Sequence, residues 1–300
     1  MVDNNCFMGF IYAVITSLFF TAYVIPKKLS RQTPFRYSVF QGIGFFAASA
    51  AAFLISRISP SATDHINSPI LLLSCLTGII WYTGSVFLLT SIDKMGLSRS
   101  NQWKNLQGPF GALFNMLFLA EYLNTNVFFI ILASALILVS AVFFNVKSSG
   151  EDLKANRSGI IFGLLAAVFF GFNSMLQKYV SSRGFMYSQL LCMSLFVMIS
   201  AFVFSLFKEK NLKVVGSLFN KENLPGLSAG AIYFFASFFS THAYRLIPGS
   251  VAFTIIQLNA VWTVLVGVLI FKEIDFRKNR LRIFAGIICA IAGVVVLLFA

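Results

Sequence analysis

Charge is scarce in this chain, and acidic charge scarcest: 11% of the 300 residues are charged and only 10 are Asp or Glu. Water-soluble domains carry about 25% charged residues, so this composition excludes water as the solvent for most of the chain. Cysteine is as sparse, with Cys6, Cys75, Cys192 and Cys289 isolated and without CxxC spacing, so neither a zinc site nor a disulfide framework is indicated. Only two histidines occur, His65 in a link and His242 near the outer end of an apolar segment. HExxH is missing, no paired aspartates lie within apolar segments, and no general base stands near a serine or threonine. Intramembrane proteolysis and other enzyme chemistry are therefore not expected, and no metal or other cofactor is implied. Six of the seven prolines (Pro26, Pro34, Pro60, Pro69, Pro225 and Pro248) fall in links or at segment ends, where a missing N–H costs least. The seventh, Pro109, follows Gly108 inside an apolar segment. Little is expected to remain for a soluble domain: the longest polar stretches are 57–68, 147–158 and 208–224.

What is abundant is apolar. Hydrophobic residues make up 58% of the chain, and the mean hydropathy is +0.83. At about 20 residues per span, ten membrane helices fit. Ten apolar segments lie near 7–25, 37–56, 69–91, 100–120, 125–146, 159–179, 186–207, 225–245, 250–271 and 283–300. The 36 Phe are evenly spread and suit lipid-facing surfaces. The start, MVDNNCFMGF, has no basic n-region, so the first segment is expected to be retained rather than cleaved. The stretch 208–224 allows a short amphipathic surface helix.

The net charge of +13 would suggest nucleic acid in a soluble protein, but here no basic stretch interleaves with exposed aromatics. Basic links against anionic headgroups account for it, and no nucleic-acid partner is expected. Links after odd-numbered segments hold 19 of the 23 Lys and Arg; the other face holds only Arg57, Lys178, Arg183 and Arg245. The positive-inside rule then places the odd links in the cytoplasm and both termini on the non-cytoplasmic side of the cell membrane.

The two halves of the chain read as one unit written twice. At an offset of 150, Gly9/Gly159, Phe19/Phe169, Phe20/Phe170 and Lys28/Lys178 coincide. At 152, Gly78/Gly230, Ser85/Ser237, Ser98/Ser250 and Glu121/Glu273 coincide. Five spans, repeated, put the second copy upside down, which is a common architecture of secondary transporters with the substrate between the copies. The expected fold is thus all-α and integral to the membrane: ten helices as two inverted five-helix repeats, 1–146 and 159–300, joined by a cytoplasmic linker at 147–158.

The stretch 78–122 carries Trp81 and Gly84 in a W-x-x-G pattern, then Met95-Gly96-Leu97-Ser98, then an apolar run ending at Glu121. The second half repeats it with Leu224-Pro225-Gly226, Ser250 through Gln257-Leu258, and Glu273 before the basic run 277–282 and Ala285-Gly286. This resembles the glucose/rhamnose porter families of sugar-uptake proteins within the drug/metabolite transporter superfamily. The resemblance implies a ten-helix carrier that takes up monosaccharides, in some members with protons. Two departures stand out. The family often writes Gly-Glu where this chain has Ala120-Glu121 and Lys272-Glu273, and Tyr233 and Ala236 replace the second Trp and Gly.

Candidate site residues follow from polarity in an apolar setting. Asn101-Gln102-Trp103-Lys104-Asn105-Leu106-Gln107 opens the fourth segment with five polar side chains in seven positions, which would be costly against lipid. An amide can donate and accept at once, and so can engage two neighbouring sugar hydroxyls. Across the repeat Asn105 pairs with Gln257 and Gln107 with Asn259, so amides recur in the fourth and ninth segments. Trp81, Trp103, Tyr233 and Trp262 could cover the apolar face of a pyranose. Gly108-Pro109 is expected to interrupt the helix, as broken helices often line transporter sites. The structural alternative is that the amides only tie helix to helix, each worth about 1 kcal/mol or less; for Asn115, Asn173 and Gln177 that role is expected. Lys104 can snorkel to the interface or pair with an acidic group. Glu121 and Glu273, at segment ends, read as anchors with coupling as the alternative, and His242 titrates in a range that could serve gating. No carboxylate stands mid-membrane, so proton coupling through one has no support. The leading reading is an alternating-access carrier of a small polyhydroxylated solute, most simply monosaccharide uptake. The runner-up is an exporter of metabolites or amphipathic drugs of the same superfamily. The solute's identity, coupling ion, direction and oligomeric state (monomer or homodimer) stay open.

Overall fold

The computed structural model describes residues 4–30, 32–58, 68–95, 100, 103–143, 157–183, 186–209, 220–270 and 276–300, and every regular element among them is helical. In chain order these are α1 (Asn4–Ala22), the short α2 (Ile25–Leu29), α3 (Pro34–Ile58), α4 (Ser68–Met95), α5 (Gln107–Phe118), α6 (Val127–Phe143), α7 (Arg157–Ser181), α8 (Met186–Glu209), α9 (Leu224–Leu246), α10 (Gly249–Ile256), α11 (Asn259–Leu269) and α12 (Phe276–Val296). Prolines sit in the first turns of α2, α3, α4 and α9, where the missing N–H is one the helix leaves unpaired anyway. At α3 the Thr33 hydroxyl accepts the Arg36 N–H at 3.3 Å and completes the start.

Eight described segments are long and apolar enough to cross a membrane, one of them running through the α10–α11 break from Gly249 to Val266. The shorter apolar helices α5 and α6 lie over the expected fourth and fifth segments. The chain is thus an all-α, multi-pass membrane protein of eight to ten apolar helices. Large apolar side chains on the outer surface, such as Leu72, Phe128 and Ile288, face where lipid would be. Serines and threonines inside return their hydroxyls to carbonyls of their own helix, as Ser74 does to Ile70 at 2.9 Å and Thr241 to Ser237 at 2.9 Å. No water reaches such groups in a bilayer, so the backbone must satisfy them.

The halves interlock rather than sit side by side. From the first half, α1 packs on α9, α10 and α11, and α3 packs on α9; from the second half, α7 packs on α4 and α5, and α8 on α4. Small residues permit the closest crossings. A methyl on Gly44 would lie 2.1 Å from the Leu227 carbonyl oxygen, and one on Gly230 2.1 Å from that of Gln41, so α3 and α9 touch backbone to backbone. The α6–α12 pair closes one edge, where Asn126 N–H donates to the Ala300 carbonyl at 2.8 Å.

Candidate functional site

Two helices are interrupted at matched places. Before α5, Asn105 and Leu106 form a turn; between α10 and α11, Gln257 and Leu258 do, 152 residues on. The first interruption lies just N-terminal to the Gly108-Pro109 pair that pointed to it, and its cause is visible. Pro109 has no N–H for the Asn105 carbonyl, which accepts instead from Gly108 N–H at 3.3 Å, tightening the turn. The second has no proline. Here the Gln257 side chain donates to the Phe253 carbonyl at 3.2 Å, taking the ladder acceptor, while its backbone N–H turns to Thr254 O at 3.2 Å.

The interruptions meet. Gln107 Nε2 donates to Gln257 Oε1 at 3.0 Å, and both side chains are buried. Gly108 makes this possible, since a methyl there would stand 2.8 Å from Gln257 Cγ. Asn105, Ser134, Thr254 and Gln257 line a void of about 10 Å³ beside the pair. That space holds about one water, so in this conformation the amides engage each other.

Two aromatics that are likewise 152 residues apart also meet. The Trp81 and Tyr233 ring centroids are 4.6 Å apart, with Phe45 5.0 Å and Tyr23 5.2 Å from Tyr233. Phe20 packs against both this cluster and the one around α10. Among the described residues, the remaining candidates do not join either group. Trp103 packs on α7 at Gly163, where an added methyl would lie 2.8 Å from its Cβ. Trp262 Nε1 donates to Ser17 Oγ at 2.8 Å and ties α11 to α1. Asn259 takes part through its backbone carbonyl, which accepts from Thr21 Oγ1 at 3.0 Å. Lys104 is half-buried ahead of α5. His242 lies against Tyr12 and Phe238, centroids 5.2 and 4.8 Å away. Asn101 and Glu273 fall outside the described residues.

At the end of α5 a second polar construction stands over the α9–α10 turn. The buried Glu121 carboxylate accepts from Gly249 N–H at 2.6 Å, Ser250 N–H at 2.9 Å and Ser250 Oγ at 2.7 Å. It thereby caps the N-terminus of α10, where unpaired amides and the helix dipole favour an anion. Lys178, from α7, donates to the Ile247 carbonyl at 2.8 Å and to that of Tyr244, so a cation closes the C-terminus of α9. Lys178 and Glu121 also attract each other. One ion from each half therefore pins the turn where α9 ends and α10 begins. Sequence reasoning left Lys178 out of the site; its coincidence with Lys28 across the repeat was the available signal.

Ala120 precedes this carboxylate with φ 53° and ψ 29°, the described non-glycine residue in the left-handed region. An L side chain there costs about 1–2 kcal/mol, which gives a physical reason for the Gly-Glu of the resembling families. Ala120→Gly is expected to raise stability by about 0.5–1 kcal/mol after the extra chain entropy of glycine is subtracted. Thermal unfolding in detergent checks it.

The comparisons with known proteins agree with this architecture. A protein solved by crystallography superposes with a TM-score of 0.74 at 13% identity, covering 99% of this chain and 96% of its own, which speaks to fold alone. Proteins of Streptococcus pyogenes serotypes M1 and M3, named for sugar uptake, are 24% identical over 305 aligned residues, spanning 96% of this chain and 98% of theirs. The profile of the family described as "Sugar transport protein" matches residues 48–300. With most of its length under that profile, this multi-pass chain belongs to the sugar transport protein family, a family of membrane transporters and not of enzymes.

Proposed function

We propose that the protein is an alternating-access carrier that takes up a monosaccharide across the cytoplasmic membrane. The observation that carries this reading is the Gln107–Gln257 amide pair at matched helix interruptions. In this reading the pair separates as the carrier opens, and each amide then engages neighbouring sugar hydroxyls. Asn105 borders the same void, and the Trp81–Tyr233 pair offers ring faces for the C–H side of the sugar.

The interlocked packing supports ten spans in two inverted repeats, 1–146 and 159–300. Exchanging the halves converts the α1–α9 contact into α7–α4, α3–α9 into α8–α4, and α10/α11–α1 into α5–α7. Such an exchange is what a two-fold axis in the membrane plane produces. Membership of the drug/metabolite transporter superfamily and both termini on the non-cytoplasmic side belong to the same proposal.

Purified protein in liposomes tests it. Counterflow of labelled hexoses, pentoses or deoxyhexoses is expected for at least one class. If none enters or exchanges, the sugar reading fails.

A further inference from the structure

Beside the Glu121–Lys178 construction a cavity of about 600 Å³ opens at the end of α5, α7 and α9. Its wall includes Lys178, Arg183 and Arg245. These are three of the four basic residues on a face that the charge count leaves otherwise without cations. The fourth, Arg57, lies over the Phe53 ring at 4.8 Å and is not part of this wall. Topology does not account for the cluster, since orientation is set by the other face.

The charges divide in a telling way. Glu121 and Lys178 offset each other, and their polar atoms are already engaged with the α9–α10 turn. Arg183 and Arg245 remain, exposed, with no ion-pair partner among the described residues. Arg183 is held with its guanidinium over the Tyr179 ring at 3.7 Å, which orients the fork without using its N–H groups. Asn124 supplies an uncharged amide beside them, while the Thr125 and Ser182 hydroxyls donate to the Glu121 and Tyr179 carbonyls at 2.8 and 2.9 Å and turn their lone pairs to the cavity. We propose that this vestibule is an anion site, taking the carboxylate or phosphate of a small ligand. The source is either a free sugar acid or sugar phosphate, or the phosphate of a lipid headgroup at the vestibule rim. Planar guanidinium forks match such groups in charge and geometry. Gln257 lies seven residues beyond Ser250, about 10 Å deeper along the helix, so a ligand held here waits above the amide pair. As a statement about cargo this inference rests on the carrier reading above; as a binding site it does not.

Binding of inorganic phosphate, glucuronate and glucose 6-phosphate, against glucose, to the purified protein in neutral detergent at low ionic strength is the test. The three anions are expected to compete with one another. The Arg183→Gln/Arg245→Gln double variant is expected to bind them more weakly by about tenfold per arginine, with glucose unaffected. Anion binding that is absent, or equal in wild type and double variant, overturns the proposal. Repeating the titration in phosphatidylglycerol and phosphatidylcholine nanodiscs separates the sources. Weaker anion binding in the former assigns the site to headgroup phosphate, and equal binding assigns it to free anions. Glucose counterflow on the same preparation keeps the two readings apart. Counterflow without anion binding removes only the vestibule site, and anion binding without counterflow of any sugar removes only the carrier reading.

Discussion

Glu121→Ala is expected to abolish transport and to destabilise the protein by about 2–4 kcal/mol, the range for a buried ion stripped of its partner and amides left unpaired. The carboxylate accepts three hydrogen bonds from Gly249 and Ser250. Alanine leaves two backbone N–H groups without acceptors at the start of α10, and it leaves Lys178 without its countercharge. The lower part of the range is appropriate because the adjoining vestibule lets water reach the site. The consequence for function follows from position. The α10 helix runs from this cap directly to Gln257, so a frayed α10 start misplaces the central amide. Glu121→Gln keeps one carbonyl acceptor and should cost roughly half as much. Thermal unfolding in detergent, alongside uptake in liposomes, reads both effects. A Glu121→Ala protein as stable as wild type would contradict the capping role.

Gln257→Ala should also lose most transport, but with a smaller loss of stability. Its side chain makes two hydrogen bonds, to Gln107 and to the Phe253 carbonyl. Their removal costs about 1–2 kcal/mol, because the tiny void nearby can admit water to the freed groups. Transport is expected to fall by about a hundredfold, the factor that corresponds to two lost sugar hydrogen bonds. A Gln257→Ala carrier with unchanged uptake would leave the amides as helix-to-helix ties.

Much of this arrangement is legible in the sequence. The apolar segments follow from composition, and helix starts follow from proline. The offset of 152 brings out Trp81 with Tyr233, whose rings touch. It also brings out the fourth and ninth segments as the amide-bearing pair. The residue-level pairing differs, because offset alone matches Asn105 with Gln257, whereas the side chain that reaches Gln257 is Gln107. A turn of 3.6 residues decides which amide faces across, and letter spacing in a broken helix does not carry that phase. Trp103 and Trp262 are alike in composition to Trp81 yet pack against α7 and α1, since nothing in an apolar segment marks which face meets which helix. Glu121 read as a headgroup anchor because its partners are backbone amides, which every sequence contains. Lys178 was hidden for a related reason: a cation at a segment end ordinarily reports topology, and only the fold shows the carbonyls of α9 converging on it.

The central claim, that Gln107 and Gln257 form one substrate site, is tested most directly by a double-mutant cycle read in sugar counterflow. Gln107→Ala, Gln257→Ala and the double variant are compared in liposomes, with folding verified by thermal unfolding. Residues that act as a unit give strongly non-additive losses. The account predicts that each single variant loses most counterflow and that the double variant loses little more. Wild-type counterflow in both single variants, or losses that simply multiply, would contradict it.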